Sequence, residues 1–438
     1  MYRYIIEDHH PVPPFNERAS LLTIGTRPLK LHQEELFAAI FGNDVELRGI
    51  LSSEAELPVV RGEAIVYRDN LWFDREFFET FIKQARASGR ACQAAFSADD
   101  KAFRTYVLPL AQDVVPGKAA DGQPVYLLQL WYFPSDYTPD IQPVVISSEA
   151  HEIGFYSVPD FMTMNQGDLT HYAPMRAVMS IETWVHVYFA SIIFSNFARA
   201  GRLDRQIDRS AFAILKLLWH AIKEQKQLLQ AGGAVEVGKG CSINPSAIIT
   251  GPTTIGDNVS IGAGAVIDNC TIGDNVTIDA GCVLFQSTVG DGCFLPFRAS
   301  LYLTALMENV IVAQNTCLQM CVIGRRSFIG AGNTFTDFNL LAQKPIRAVD
   351  RDGRLRDVGQ IVLGGAVGHN CRIGSGMVIF PGRMIESDVV LIAGADRRVI
   401  EYSVTYEESD HLSRPGGDVH KRFYPRPNEE PDEVEIWE

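Results

Sequence analysis

The chain of 438 residues is longer than a single hydrophobic core usually serves, so two domains are expected. With 39 basic against 53 acidic residues its formal charge is −14, which argues against nucleic acid and anionic membrane as partners, since both want a basic surface. The N-terminal MYRYIIEDHHPVPPF shows no basic start leading into an apolar core, and the most apolar run, WVHVYFASIIFSNFA from Trp184, falls short of the ~20 residues a spanning helix needs. That run is read as a buried helix, and the protein as soluble and cytoplasmic.

Residues 1–232 alternate helix and strand patterns without a repeat. His9 and His10, with no partner nearby in sequence, read as a solvent-facing pair. Ala64 to Tyr67 is a buried strand, Arg68 to Asn70 a turn, and a helix begins near Asp74 with Phe77, Phe78, Phe81 and Ile82 as one apolar stripe. Gly89 stops that helix before a second strand. Strand, helix and strand predict a parallel sheet, whose ligands bind at the carboxyl ends of its strands; Asp69 sits at such an end.

This stretch is similar to the sugar-phosphate nucleotidyltransferases, in which a strand closes on an aspartate that holds the catalytic magnesium. LLTIGTRPLKLHQEELF, Leu21 to Phe37, resembles the segment where that family places a Lys-Pro or Arg-Pro pair before a helix. The resemblance implies nucleotide-site roles for Asp69 and Arg27, with magnesium as cofactor if the domain is active. One feature of the family is missing: Gly25 is the only glycine among the first forty-one residues, so no glycine-rich loop cradles nucleotide phosphates. The domain is therefore read as degenerate, kept for packing or for binding a sugar nucleotide, and nucleotidyl transfer is the remotest of the activities considered.

Two helical patterns follow, over about 181–200 and 209–229, the second ending at Gly232-Gly233 and expected to cap what comes next. From Ile255 aliphatic residues recur as Ile255, Ile261, Ile267, Ile272, Ile278, Leu284 and onward to Phe335, in groups of three spaced six, six and five. Neither helix nor ordinary strand has that period. Val237, Ile243 and Ile249 lead into the series, and Ile361, Val367, Ile373, Ile379, Ile385 and Leu391 resume it. One inward aliphatic per flat face, with Gly-Asp-Asn at recurring corners, predicts a parallel β-helix with triangular coils over 233–400. Seven of the eight cysteines lie in or beside this region; they read as small core residues in a reducing compartment, since no Cys/His cluster has metal-ligand spacing.

The region from about Val237 to Leu391 resembles the hexapeptide-repeat proteins, which fold as a left-handed β-helix. Joined to a nucleotidyltransferase-like α/β domain, it has the arrangement of the bifunctional uridyltransferase/acetyltransferases. The resemblance implies a homotrimer and, for the acyltransferases of the family, acyl-CoA (acetyl-CoA) as donor, with a histidine as base in a cleft between adjacent prisms. His369 is the only histidine within the repeat; it is read as lying on a corner and facing out, and is the candidate base. A turn-satisfying histidine beside Asn370 is the alternative.

The repeat breaks over 336–360, where Asp352-Gly353 signals a β-hairpin protruding from a corner. Asn339, Lys344 and Arg347 of this loop, with Arg325 and Arg326 on a corner and Arg383 nearby, are candidate substrate-binding residues; the loop reads equally well as a solvated insertion that pairs with a neighbouring subunit. Residues 401–438 form an acidic tail that wraps or trails. The chain is thus expected to be an acyltransferase in which the amine or hydroxyl of a sugar or sugar nucleotide attacks acyl-CoA directly. A catalytically silent sugar-nucleotide-binding protein or a scaffold is the alternative.

Overall fold

A computed structural model describes residues 1–156, 169–209, 234–339 and 344–432, with Trp219, Lys223 and Gln230. The N-terminal part is mixed α/β and the C-terminal part consists of three parallel eight-stranded sheets, as in a left-handed β-helix. The expected helix over 209–229 lies outside the described residues apart from isolated positions.

The N-terminal sheet contains β1 (Tyr2–Ile6), β2 (Glu46–Leu51), β3 (Ala64–Arg68), β4 (Cys92–Ser97), β5 (Val115–Lys118), β6 (Pro124–Phe133) and β7 (Gln142–Ile146), in the order β7-β4-β6-β3-β1-β2 with β5 on β6. Helix α1 (Leu29–Phe41) and helix α2 (Arg75–Ser88) accompany it. Asp74 caps α2 by accepting the Phe77 N–H at 2.8 Å, Gly89 ends it at φ +64°, and the expected stripe of Phe77, Phe78, Phe81 and Ile82 is buried. The sheet is mixed, which corrects the parallel sheet expected from β3, α2 and β4: the long β6 inserts between β3 and β4, antiparallel to both. β1, β2 and β3 do run parallel, so Ile6, Leu51 and Arg68 end on one edge.

In the β-helix all fifteen inward positions from Ile255 to Phe335 are buried to 2% exposure or less, because each lies in register with its equivalent one coil away. After the insertion Val367 pairs with Ile323, so the ladder resumes there; Ile361, half-buried, precedes it rather than belonging to it. All eight cysteines are free.

The corners explain Gly-Asp-Asn. A Cβ on Gly256 would lie 2.6 Å from the carbonyl carbon of Gly273. Asn258 and Asn275 both take φ +57°, a conformation asparagine tolerates. The aspartate carboxylates form a ladder up the prism: Asp257, Asp274 and Asp291 accept the backbone N–H of Lys239, Asp257 and Asp274 at 2.6, 2.7 and 2.8 Å.

The apolar run from Trp184 is helical, as Trp184–Tyr188, a wider-wound Phe189–Phe197 and Ala198–Arg209, and lies against one prism face. Its polar residues are what fasten it. Asn196 donates to Thr288 Oγ1 at 3.2 Å and accepts from Thr271 Oγ1 at 2.9 Å, while Arg199 donates to Thr254 Oγ1 and to the carbonyls of Pro252 and Cys270. His186 donates from Nε2 to the Pro109 carbonyl. Leu303, Ala305, Met307, Val322 and Ala366, outward on the prism, belong to the same buried cluster as the core of the N-terminal sheet. A second prism face carries a register-aligned stripe of Phe294, Ile311 and Phe328, each about two-fifths exposed. The described tail, 401–432, wraps the last coil and packs Tyr424 on His369 at 4.6 Å between ring centroids.

Candidate functional site

The parallel strands β1, β2 and β3 end around a pocket of about 280 Å³. Ile5, Leu47, Ile50 and Leu21 give it apolar walls, Asp69 and Ser20 lie within it, and Arg18, Lys30, Glu7 and Glu34 bring charge to it. Asp69 is held from two sides, by the Asp8 N–H at 2.7 Å and by a hydrogen bond with Ser20. Burial raises its pKa above the usual carboxylate range, and the charges of Asp8 and Glu7 add to the effect.

Behind Asp69 a buried polar network continues. Arg68 bridges Asp8 at 3.2 Å and Asp113 at 3.1 Å, and Asn70 donates to both carboxylates at 2.9 and 2.8 Å. Burial opposes ionisation of Asp8, but His10 and Arg68 hold its pKa below the usual value. His10 is therefore a partner of Asp8, at 2.7 Å, and not merely one of a solvent-facing pair. Glu182 accepts the backbone N–H groups of Gln112 and Asp113; burial and the neighbouring Asp113 push its pKa up to about 8.

Asp69 Oδ1 accepts the Asp8 N–H and the carboxylate also hydrogen-bonds Ser20, while among the described residues no group of three or more His, Cys, Asp or Glu side chains is placed to hold a metal ion.

The other residues singled out from sequence do not line this pocket, although Arg325 meets His369 at a prism corner and Arg347 lies near Arg383. Arg27, in a short strand before α1, is exposed and does not line the pocket, where Lys30 in the first turn of α1 is present instead. His369 does not face out: it is fully buried, between the rings of Phe15 at 5.1 Å and Tyr424 at 4.6 Å. The reason is the corner ladder. His369 stands where earlier coils have aspartate, and its Nδ1 accepts the Arg325 N–H at 3.0 Å as the carboxylates do. Nε2 then carries the proton and faces Glu17 Oε2 at 3.5 Å. Burial lowers the pKa of the ring.

Arg325 is turned into the same interface, donating to Glu17 Oε1 at 2.9 Å and to the Leu21 carbonyl at 2.8 Å, while Arg326 is exposed. Arg383 bonds the Glu401 carbonyl at 2.6 Å, Arg347 pairs with Asp357 at 3.4 Å, and Asn339 and Lys344 are exposed. None of these four side chains hydrogen-bonds His369 among the described residues. The expected hairpin exists, as β8 (Arg347–Val349) and β9 (Leu355–Asp357) with Gly353 at φ +79° in its turn. It docks on the N-terminal domain instead of standing free: Arg351 donates to Asp113 Oδ1 and Gln112 Oε1, each at 3.1 Å.

Residues 234–269 and 252–286 match the family model for bacterial transferase hexapeptide (six repeats). The match and the three parallel sheets together support an acyltransferase-type function in general. No curated protein matches the chain.

Proposed function

We propose that the protein is a transferase of the acyl class whose acceptor is a sugar or sugar nucleotide held in the Asp69 pocket, with acyl-CoA as donor. The observation that carries the acceptor half is the pocket itself. Its volume suits a monosaccharide-sized group, its apolar walls suit a ring face, Asp69 suits a hydroxyl or amine, and Lys30 and Arg18 suit a phosphate. The donor half rests on the hexapeptide match. The acceptor's amine or hydroxyl attacks the thioester carbonyl, the C–S bond breaks, coenzyme A leaves as thiolate, and the acceptor's proton passes to a base. His369 is not given that role, because Nδ1 is committed to the ladder and Nε2 is enclosed with Glu17. Asp69, in the pocket and with its pKa raised by burial, is the group proposed to receive the proton. A homotrimer is proposed in which neighbouring prisms cover the Phe294, Ile311 and Phe328 stripe.

One observation favours a second reading, binding without transfer: the corner where the family resemblance placed the base is closed by the chain's own N-terminal segment and tail. Titration calorimetry with acetyl-CoA, glucose 1-phosphate and UDP-glucose, on wild type and Asp69→Asn, separates the two. Binding of acetyl-CoA together with one sugar ligand, the latter weakened by Asp69→Asn, supports the transferase. Sugar binding alone supports the second reading, and silence toward all three overturns both.

A further inference from the structure

We propose that Arg351, in the turn of the β-helix hairpin, is a positioning residue for the Asp69 pocket in the other domain. The proposal rests on the reading of that pocket as a ligand site. Arg351 is 13% exposed and its fork is taken up by Asp113 and Gln112, so it does not reach out to grip a substrate. The contact is reciprocal, since Gln112 Nε2 donates to Asp352 Oδ2 at 3.0 Å and so fastens the hairpin turn from both sides.

From Arg351 a continuous chain of charge-assisted bonds leads to the pocket. Arg351 holds Asp113 Oδ1; Arg68 holds the same oxygen at 3.1 Å and reaches Asp8 at 3.2 Å; the Asp8 N–H fixes Asp69 Oδ1 at 2.7 Å. Three buried carboxylates, Asp8, Asp113 and Glu182, share two guanidiniums, Arg68 and Arg351, with Glu182 lying 3.7 Å from Arg351. Two histidines adjoin this network: His10 bonds Asp8 Oδ1 at 2.7 Å at its outer end, and His186, with its pKa lowered by burial, gives its Nε2 proton to Pro109 and supplies no charge. Without Arg351 the remaining guanidinium serves Asp113 and Glu182 as well as Asp8. Arg68 is then drawn toward Asp113 and Glu182, and the Asp8 segment that orients Asp69 loosens. Ligand in the pocket and docking of the hairpin are thereby linked, and each strengthens the other.

Hydrogen exchange by mass spectrometry on the full chain tests this without any ligand. Arg351→Ala is expected to speed exchange by at least about tenfold in peptides covering Glu7 to His10 and Arg68 to Asn70, as well as in the hairpin. Arg351→Lys, which keeps charge but not the fork, should fall between, and it serves if the alanine variant does not fold. Arg356→Ala breaks only the pair with Asp350 inside the hairpin and should affect the hairpin alone. Faster exchange confined to residues 344–360 in the Arg351 variants would overturn the proposal. UDP-glucose is the probe for the second arm, with affinity expected to drop about tenfold in Arg351→Ala. If it fails to bind wild type the ligand reading of the pocket falls, while the exchange result still decides the positioning role.

Discussion

Replacing His369 separates its ladder role from a catalytic one. The ring is fully buried between Phe15 and Tyr424, and its Nδ1 is the acceptor for the Arg325 N–H at 3.0 Å. His369→Ala leaves that N–H buried without an acceptor, which costs about 1–3 kcal/mol. It also opens a cavity where the imidazole was, worth about 2–3 kcal/mol by analogy with large-to-small core substitutions. The expected total is roughly 3–6 kcal/mol. His369→Asn keeps a side-chain oxygen at the place where aspartate serves in earlier coils, so it should lose only the cavity part. Urea unfolding followed by circular dichroism measures both, and exchange of the Arg325 amide reports the bond directly. If the asparagine and alanine variants lose equal stability and expose the Arg325 amide alike, the ladder account is wrong. Loss of acyl transfer in a stable His369→Asn protein would return the ring to the list of catalytic bases.

Three further outcomes are expected. Burial holds the pKa of His186 down to about 4, below the 6.5 of a free side chain, so its contribution is complete above pH 6.5 and is lost as pH falls through 4; the stability difference between wild type and His186→Gln should narrow over that range in pH-dependent unfolding, and a widening would contradict the assignment. Asn196→Ala removes two bonds between the buried helix and the prism and should cost about 1–3 kcal/mol, read from urea midpoints, with no loss disproving the fastening role. Phe328→Glu places a charge in the exposed stripe and should shift sedimentation velocity toward the monomer, whereas an unchanged coefficient would remove the stripe from the subunit contact.

What was legible in the sequence was local. The inward aliphatics declare the prism because each coil repeats the same short spacing, and Asp74 and Gly89 declare α2 because both caps lie beside it. What was missed depends on partners distant in the chain. β6 enters the sheet between β3 and β4 from some thirty residues downstream, so a strand-helix-strand pattern says nothing of it. His369 reads as outward from sequence because its cover comes from Phe15, Glu17 and Tyr424, all distant in the chain; Arg351 contacts Asp113 across 238 residues. The Gly-Asp-Asn rule did hold a usable hint. Gly368-His369-Asn370 places histidine in the aspartate slot, and an acceptor in that slot is spoken for by the coil before it.

The insertion leaves the prism at a fixed height, and that height is a measurement. The helix from Trp184 anchors on the coils carrying Thr254, Thr271 and Thr288, while the hairpin emerges several coils later and must meet Gln112 and Asp113 on the same domain. Each coil adds one strand spacing, about 4.8 Å. Deleting or duplicating a single seventeen-residue coil between these points would leave a sound solenoid and a sound α/β domain, yet carry the hairpin past its socket by more than a hydrogen bond can span. The β-helix therefore acts as a ruler, and the number of its coils is set by the domain it is fastened to.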